Sequence, residues 1–167
     1  MDQEIKIDGK RLNLFSTPIW VFKADQLSDA NMSFKTMIDN GTLGEPSVNA
    51  RSNRNGARYE FDLMKVAPKK LVTFLLRSIK HVISSDFLIS IESWVNLHEQ
   101  GGYNSSHMHP GYLLSGVYYI SVGNGSGALV LEDPRPQTRY AANHVFITSL
   151  DPAQGHRINA EEGMLVL

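Results

Sequence analysis

From Phe87 onward the apolar residues stop recurring at helical spacing and begin to alternate, and no helical pattern returns before Leu167. Ile89, Ile91, Val95 and Leu97 fall on one face of an extended strand. Glu92, Trp94, Asn96 and His98 fall on the other, because successive strand side chains point to opposite sides. Further strand-like runs follow over 112–122, 128–131, 144–150 and 164–167, separated by Gly123-Asn124-Gly125, a Pro134 to Pro136 turn and Asp151-Pro152. Short strands at this spacing, with no helices between them, predict an antiparallel sandwich or barrel.

The first half reads differently. Ile5-Lys6-Ile7, Asp8-Gly9 and Leu12 to Phe15 have the pattern of a hairpin around an Asp-Gly turn. Residues 19–22 follow Pro18 as a strand. Ser28 is expected to cap a helix running to Asn40, with Gly41 as its stop. The polar, arginine-bearing run 49–58 is expected to be a loop. Arg51, Arg54 and Arg58 would be solvated there, or would form a mobile lid over an anionic substrate. Pro68 stands at the first turn of a second helix, whose stripe is Leu71, Phe74, Leu75, Ile79, Val82 and Ile83. The expected organisation is one domain over 1–167. An α/β portion over 1–86 packs on a β-sandwich core over 87–167, giving a mostly β fold with flanking α-helices.

Composition narrows the function. Sixteen Lys and Arg balance seventeen Asp and Glu, for a net charge of −1. That balance disfavours a dedicated nucleic-acid or membrane-surface binder, whose contacts with phosphates favour a basic excess. No cysteine is present. Disulfides, thiolate metal sites, iron–sulfur clusters and cysteine nucleophiles are excluded, and a metal site must use His, Asp, Glu or backbone oxygens. Residues 1–10 lack the apolar segment of a signal peptide, and no apolar run reaches membrane-spanning length, so the expected location is the cytoplasm. Gly163-Met164-Leu165-Val166-Leu167 reads as an apolar strand with a bare edge. Either Leu167 is tucked into the core or the chain is a fragment. A bare edge also suits strand exchange with a second copy, which would make a homodimer.

Six histidines occur, and two form His107-Met108-His109. On a strand these two imidazoles would share a side and could approach one cation together. Hydrogen-bonded turn histidines are the ordinary alternative, since Pro110-Gly111 follows at once. Glu132 and Asp133 are poor acid/base partners, because adjacent strand residues diverge. No Walker loop, G-x-S-x-G elbow or H-E-x-x-H helix is present.

The order of motifs from Ser93 onward carries a resemblance. Trp94-Val95-Asn96 leads through Gly101-Gly102-Tyr103 to His107-Met108-His109-Pro110. Ser115-Gly116-Val117-Tyr118-Tyr119 and Gly127-Ala128-Leu129-Val130-Leu131-Glu132-Asp133-Pro134-Arg135 follow. This series resembles the 2-oxoglutarate- and Fe(II)-dependent oxygenases related to prolyl 4-hydroxylases, over a little under half of the chain. The resemblance implies a double-stranded β-helix (a cupin-like jelly roll) lacking its last strands here. It implies Fe(II), with 2-oxoglutarate and O₂ as co-substrates, and hydroxylation of a protein side chain or small molecule. By position His107 matches the first iron ligand. His109 stands where the wider superfamily usually has Asp or Glu. Asn96, Tyr103, Ser115 and Tyr119 would line the co-substrate pocket, and Arg135 would contact substrate or hold its turn. The distal His and the basic residue that clamps 2-oxoglutarate lie beyond Leu167 in the family pattern. Two other classes fit the same residues: a metal-binding jelly roll of the cupin type, and a non-enzymatic β-sandwich binding module.

Overall fold

The computed structural model describes residues 16–47, 51–83, 88–134 and 155–167. The elements run β1 (Val21–Lys23), a 3-10 turn (Asp25–Leu27), α1 (Ser28–Asp39), β2 (Asn53–Glu60), α2 (Leu63–Val66) and α3 (Lys69–Val82). They continue through β3 (Trp94–Asn104), β4 (Val117–Tyr118), β5 (Ala128–Leu131), β6 (His156–Asn159) and β7 (Met164–Val166). All strand pairings are antiparallel, and the described strands form three small sheets in the orders β1-β7-β4, β2-β3 and β5-β6. The fold is therefore antiparallel and β-rich, with a few helices. No helix of the described residues is long and apolar enough to cross a membrane.

The helices follow the sequence closely. Helix α1 buries Ala30, Asn31, Phe34 and Ile38 along one side. It ends where Gly41 takes φ 70°, with Gly41 N–H donating to Ile38 O and Thr42 N–H donating to Met37 O. Ser28 is not a cap: the 3-10 turn runs into the helix and leaves Ser28 at φ −54° and ψ −44°, whereas a cap residue needs extended backbone. Pro68 is the N-cap of α3 and not a first-turn residue. The buried side of α3 is Leu71, Val72 and Ser78; Phe74 and Leu75 are half-buried. Leu27, Ala30, Phe34, Leu63, Ala67, Leu71 and Val72 form the core, with Phe61, Ile91, Tyr118 and Ile120 packed against it.

Several strand expectations need correction. The part of the expected loop from Asn53 onward is strand, because β2 occupies Asn53–Glu60. Its composition is poor for a strand, but every residue of β2 except Asn55 stands opposite a partner on β3, and pairing outweighs propensity. Strand β3 begins at Trp94, seven residues after Phe87, and continues through the expected glycine loop to Asn104. Asn55, at φ 52°, and Gly101, at φ 77°, absorb the register shift between Arg54 and Gly56. At Gly56 the strands approach so closely that a Cβ would lie 2.5 Å from Leu97 O. Only Val117–Tyr118 of the expected 112–122 run is regular strand, whereas β5 falls where predicted. Strand β6 had no expectation. The hairpin at 5–15 and the strand at 144–150 lie outside the described residues.

The apolar terminus is the clearest reversal. Strand β7 has no bare edge, because β1 pairs on one side of it and β4 on the other. Residues 163–167 are all buried. Leu167 exchanges backbone hydrogen bonds with Trp20, at 2.9 and 3.0 Å, and is buried.

Candidate functional site

The ribbon β2–β3 presents one polar face. Residues directly opposite in an antiparallel pair project to the same side. Glu60 therefore stands beside Trp94, Arg58 beside Asn96 and Gly56 beside His98. The Arg58 guanidinium lies 4.2 Å from the centre of the Trp94 ring, and its Nη2 and Nε lie 3.3 and 3.4 Å from Glu60 Oε1. Arg58 is only 6 % exposed, so the ring and the carboxylate replace its lost hydration. Asn53 is buried next to them. Its Nδ2 donates to Ala57 O and to Asn96 Oδ1, at 3.1 and 3.3 Å, while its Oδ1 has no hydrogen-bond partner.

After β3 the chain folds back over this face. Ser105 N–H donates to Ser52 O at 2.8 Å and pins the segment to the start of β2. Residues 107–109 are not strand, contrary to the geometry expected of an alternating pair. The two imidazoles nevertheless meet, with ring centroids 4.8 Å apart and planes at 75°. His109 also packs against Trp94 at 5.5 Å and Tyr112 at 6.2 Å.

Protonation in the pair follows from these neighbours. His107 Nδ1 lies 2.7 Å from Ser105 O, an acceptor, so Nδ1 carries the proton and donates. The other ring nitrogen, Nε2, has Ser52 Oγ as its neighbour at 3.5 Å. Burial holds the His109 imidazole below its ordinary value, and His107, Arg58 and Arg51 reinforce the shift. His109 is therefore neutral near pH 7, as an imidazole donor must be. The Tyr112 hydroxyl donates to Glu92, which pushes its titration up, whereas Arg51 opposes that rise.

The structure gathers some of the expected site residues and leaves others apart. His107, His109 and Asn96 belong to one face. Tyr103 lies opposite Arg54, beyond the register shift, and is exposed. Ser115 is exposed in irregular chain. Tyr119 is half-buried, with its hydroxyl pushed up by burial and its backbone bonded to Gly163 and Met164. Among the described residues no hydrogen bond or ring contact joins Tyr103, Ser115 or Tyr119 to the imidazoles. Arg135 lies outside the described residues. Sequence reading missed Ser52 and Tyr112 as neighbours of the pair and offered Arg58 only as a solvated loop residue or part of a lid. Only the two-residue alternation of 94–98 pointed at this face. Among the described residues no group of three or more His, Cys, Asp or Glu is arranged to hold a metal ion.

No curated protein matches the chain, and no solved structure does. Residues 92–167, which begin at Glu92 and take in β3 and both imidazoles, match the family described as "Putative 2OG-Fe(II) oxygenase", over a little under half of the chain.

Proposed function

We propose that the chain is a 2-oxoglutarate- and Fe(II)-dependent dioxygenase of the prolyl 4-hydroxylase-like kind, built on a double-stranded β-helix and hydroxylating a protein side chain or a small molecule. The observation that carries this reading is the side-by-side imidazole pair inside the matched segment. Imidazole suits Fe(II), and the two rings fit as part of its ligand set. They do not complete that set, since no third carboxylate or imidazole joins them among the described residues. When bound, iron with 2-oxoglutarate supplies the oxidising chemistry.

The protein's own contribution is orientation. The Ser105 carbonyl accepts from His107 Nδ1 and holds the ring, leaving Nε2 as the nitrogen that could ligate, the positioning that a partner of the non-ligating nitrogen provides in metal sites. Trp94 backs His109 and keeps water from one side of the ring. Arg58, held over Trp94 by Glu60, fixes the indole in turn.

The test is anaerobic titration with Co(II) as an optical stand-in for Fe(II), together with CO₂ release from 2-oxoglutarate in the presence of Fe(II). Co(II) binding by the full chain, weakened at least tenfold in His107→Ala and in His109→Ala, is the expected result. Unchanged Co(II) affinity in both variants, with no CO₂ release by the wild type, would overturn the reading.

A further inference from the structure

We propose that Asn124 is a site of self-modification: the peptide nitrogen of Gly125 attacks the Asn124 carboxamide, and the folded chain comes to carry isoaspartate and aspartate there in place of asparagine.

The sequence holds three Asn-Gly pairs, Asn40-Gly41, Asn55-Gly56 and Asn124-Gly125. Asparagine is among the thermolabile residues. A following glycine exposes it to attack, because that residue has no Cβ to obstruct its own nitrogen and its backbone turns freely. The glycine nitrogen gives its proton to base and bonds to the asparagine Cγ, and Nδ2 leaves as ammonia. Water then opens the five-membered imide at one of its two carbonyls, giving aspartate or isoaspartate. Nothing is oxidised or reduced. The three pairs offer the same reacting atoms, so the fold decides which of them reacts.

Two pairs are held away from the reaction. Asn40-Gly41 closes α1, where Gly41 N–H donates to Ile38 O at 3.0 Å and Thr42 N–H to Met37 O at 2.9 Å. The attacking nitrogen is engaged in the cap and reaches Cγ only if the last turn unwinds. Asn55-Gly56 lies in the β2–β3 ribbon. Asn55 Nδ2 donates to Gln100 O at 3.0 Å, which holds the carboxamide on the opposite strand. Gly56 stands opposite His98, so closely packed that a Cβ would lie 2.5 Å from Leu97 O. An imide ring at that position requires the strands to part.

Asn124-Gly125 has neither restraint. The pair forms the middle of a turn over 123–126, closed by Ser126 N–H donating to Gly123 O at 3.2 Å. That bond leaves out the Gly125 nitrogen. Among the described residues neither this nitrogen nor the Asn124 carboxamide makes a hydrogen bond. Asn124 is exposed, and no atom lies within 4 Å of the position a Cβ would take at Gly125 or at Gly127. Glycines on both sides of Asn124 let the turn bring Cγ onto the nitrogen without displacing a packed side chain. Isoaspartate adds one methylene to the main chain, and the irregular residues 121–127 ahead of β5 have room for it. Each event adds one negative charge, taking the formal net charge from −1 to −2.

The test incubates the full chain in mildly alkaline buffer, with and without urea, and follows the three pairs by peptide-mapping mass spectrometry. In the folded chain Asn124 should convert at least tenfold faster than Asn40 and Asn55, while an acidic satellite grows on isoelectric focusing. In urea the three rates should come within severalfold of one another, because the fold no longer ranks them. Asn124→Gln should remove most of the satellite. Folded-state conversion of Asn40 or Asn55 as fast as that of Asn124 would overturn the assignment. So would a tenfold acceleration of Asn124 by urea, or a satellite undiminished in Asn124→Gln. The reaction needs no metal, so the outcome of the Co(II) titration does not bear on it.

Discussion

His109 is neutral for reasons that pull in one direction: burial, a second imidazole and two guanidiniums all disfavour its cation. The consequence for stability has a definite sign. As pH falls past about 6.5, the ordinary histidine value, the unfolded chain takes up this proton before the folded one does. Stability is therefore full above that pH and is lost as pH falls toward the lowered folded value. In metal-free protein the melting temperature should drop between pH 7.5 and 5.5, and His109→Gln should flatten that drop. Equal slopes in the two proteins would remove the assigned cause. The imidazole pair was legible in the sequence because its members are two residues apart. The contact of Ser52 with His107 and the packing of Arg58 on Trp94 were not, because these residues lie some fifty positions from His107 (Ser52 is 55 residues away) and reach the site only through strand pairing; the arginines were read as a solvated loop or a lid. Polarity marked them as loop residues, and it does not reveal a cation packed on an indole.

Pairing between distant elements also decides which strands exist. Strand β7 joins β1 to β4, and β4 carries Tyr118, whose hydroxyl donates to the buried Asn31 of α1 at 2.7 Å. This bond ties the central sheet to the helical core. Tyr118→Phe leaves Asn31 Oδ1 without its donor and should cost about 1–3 kcal/mol in denaturant unfolding. Burial pushes the Tyr118 hydroxyl above its ordinary value, so its stabilising contribution is present below about pH 10 and lost as pH rises further. The variant should accordingly show a shallower alkaline loss of stability than the wild type. An unchanged unfolding midpoint at pH 7 would mean that the bond contributes nothing. Helices α1 and α3 were readable because local spacing sets them, and so was the four-residue strand β5. The length of β3 was not, because its glycines look like a loop until Asn55 donates to Gln100 O and Gly102 passes under β2. The bare edge expected at 163–167 rested on apolar character alone, which marks a central strand as readily as an exposed one.

At the scale of the whole molecule, the apolar core and the candidate site sit on different sheets. The core lies among α1, α2, α3 and the β1-β7-β4 sheet, while the imidazoles lie on the β2–β3 ribbon. The joint between them is short. Ser93 Oγ donates to Phe61 O at 2.5 Å and accepts from Leu63 N–H at 3.2 Å, and the Phe61 ring packs on Phe34 at 5.3 Å. Both links lie at the Glu60/Trp94 end of the ribbon, next to Arg58 and His109. The far end, where Arg54 pairs with Tyr103, is largely exposed and carries the register shift. Free energies of local opening follow buried contact and uninterrupted pairing. Native-state hydrogen exchange should therefore show Leu165 and Val166 opening only with global unfolding. The amides of Val95 and Leu97 should be intermediate, and those of Gly102 and Tyr103 should exchange soonest. Protection at Tyr103 equal to that at Val166 would mean that ribbon and core form one cooperative unit, and that the site is held as rigidly as the sheet behind it.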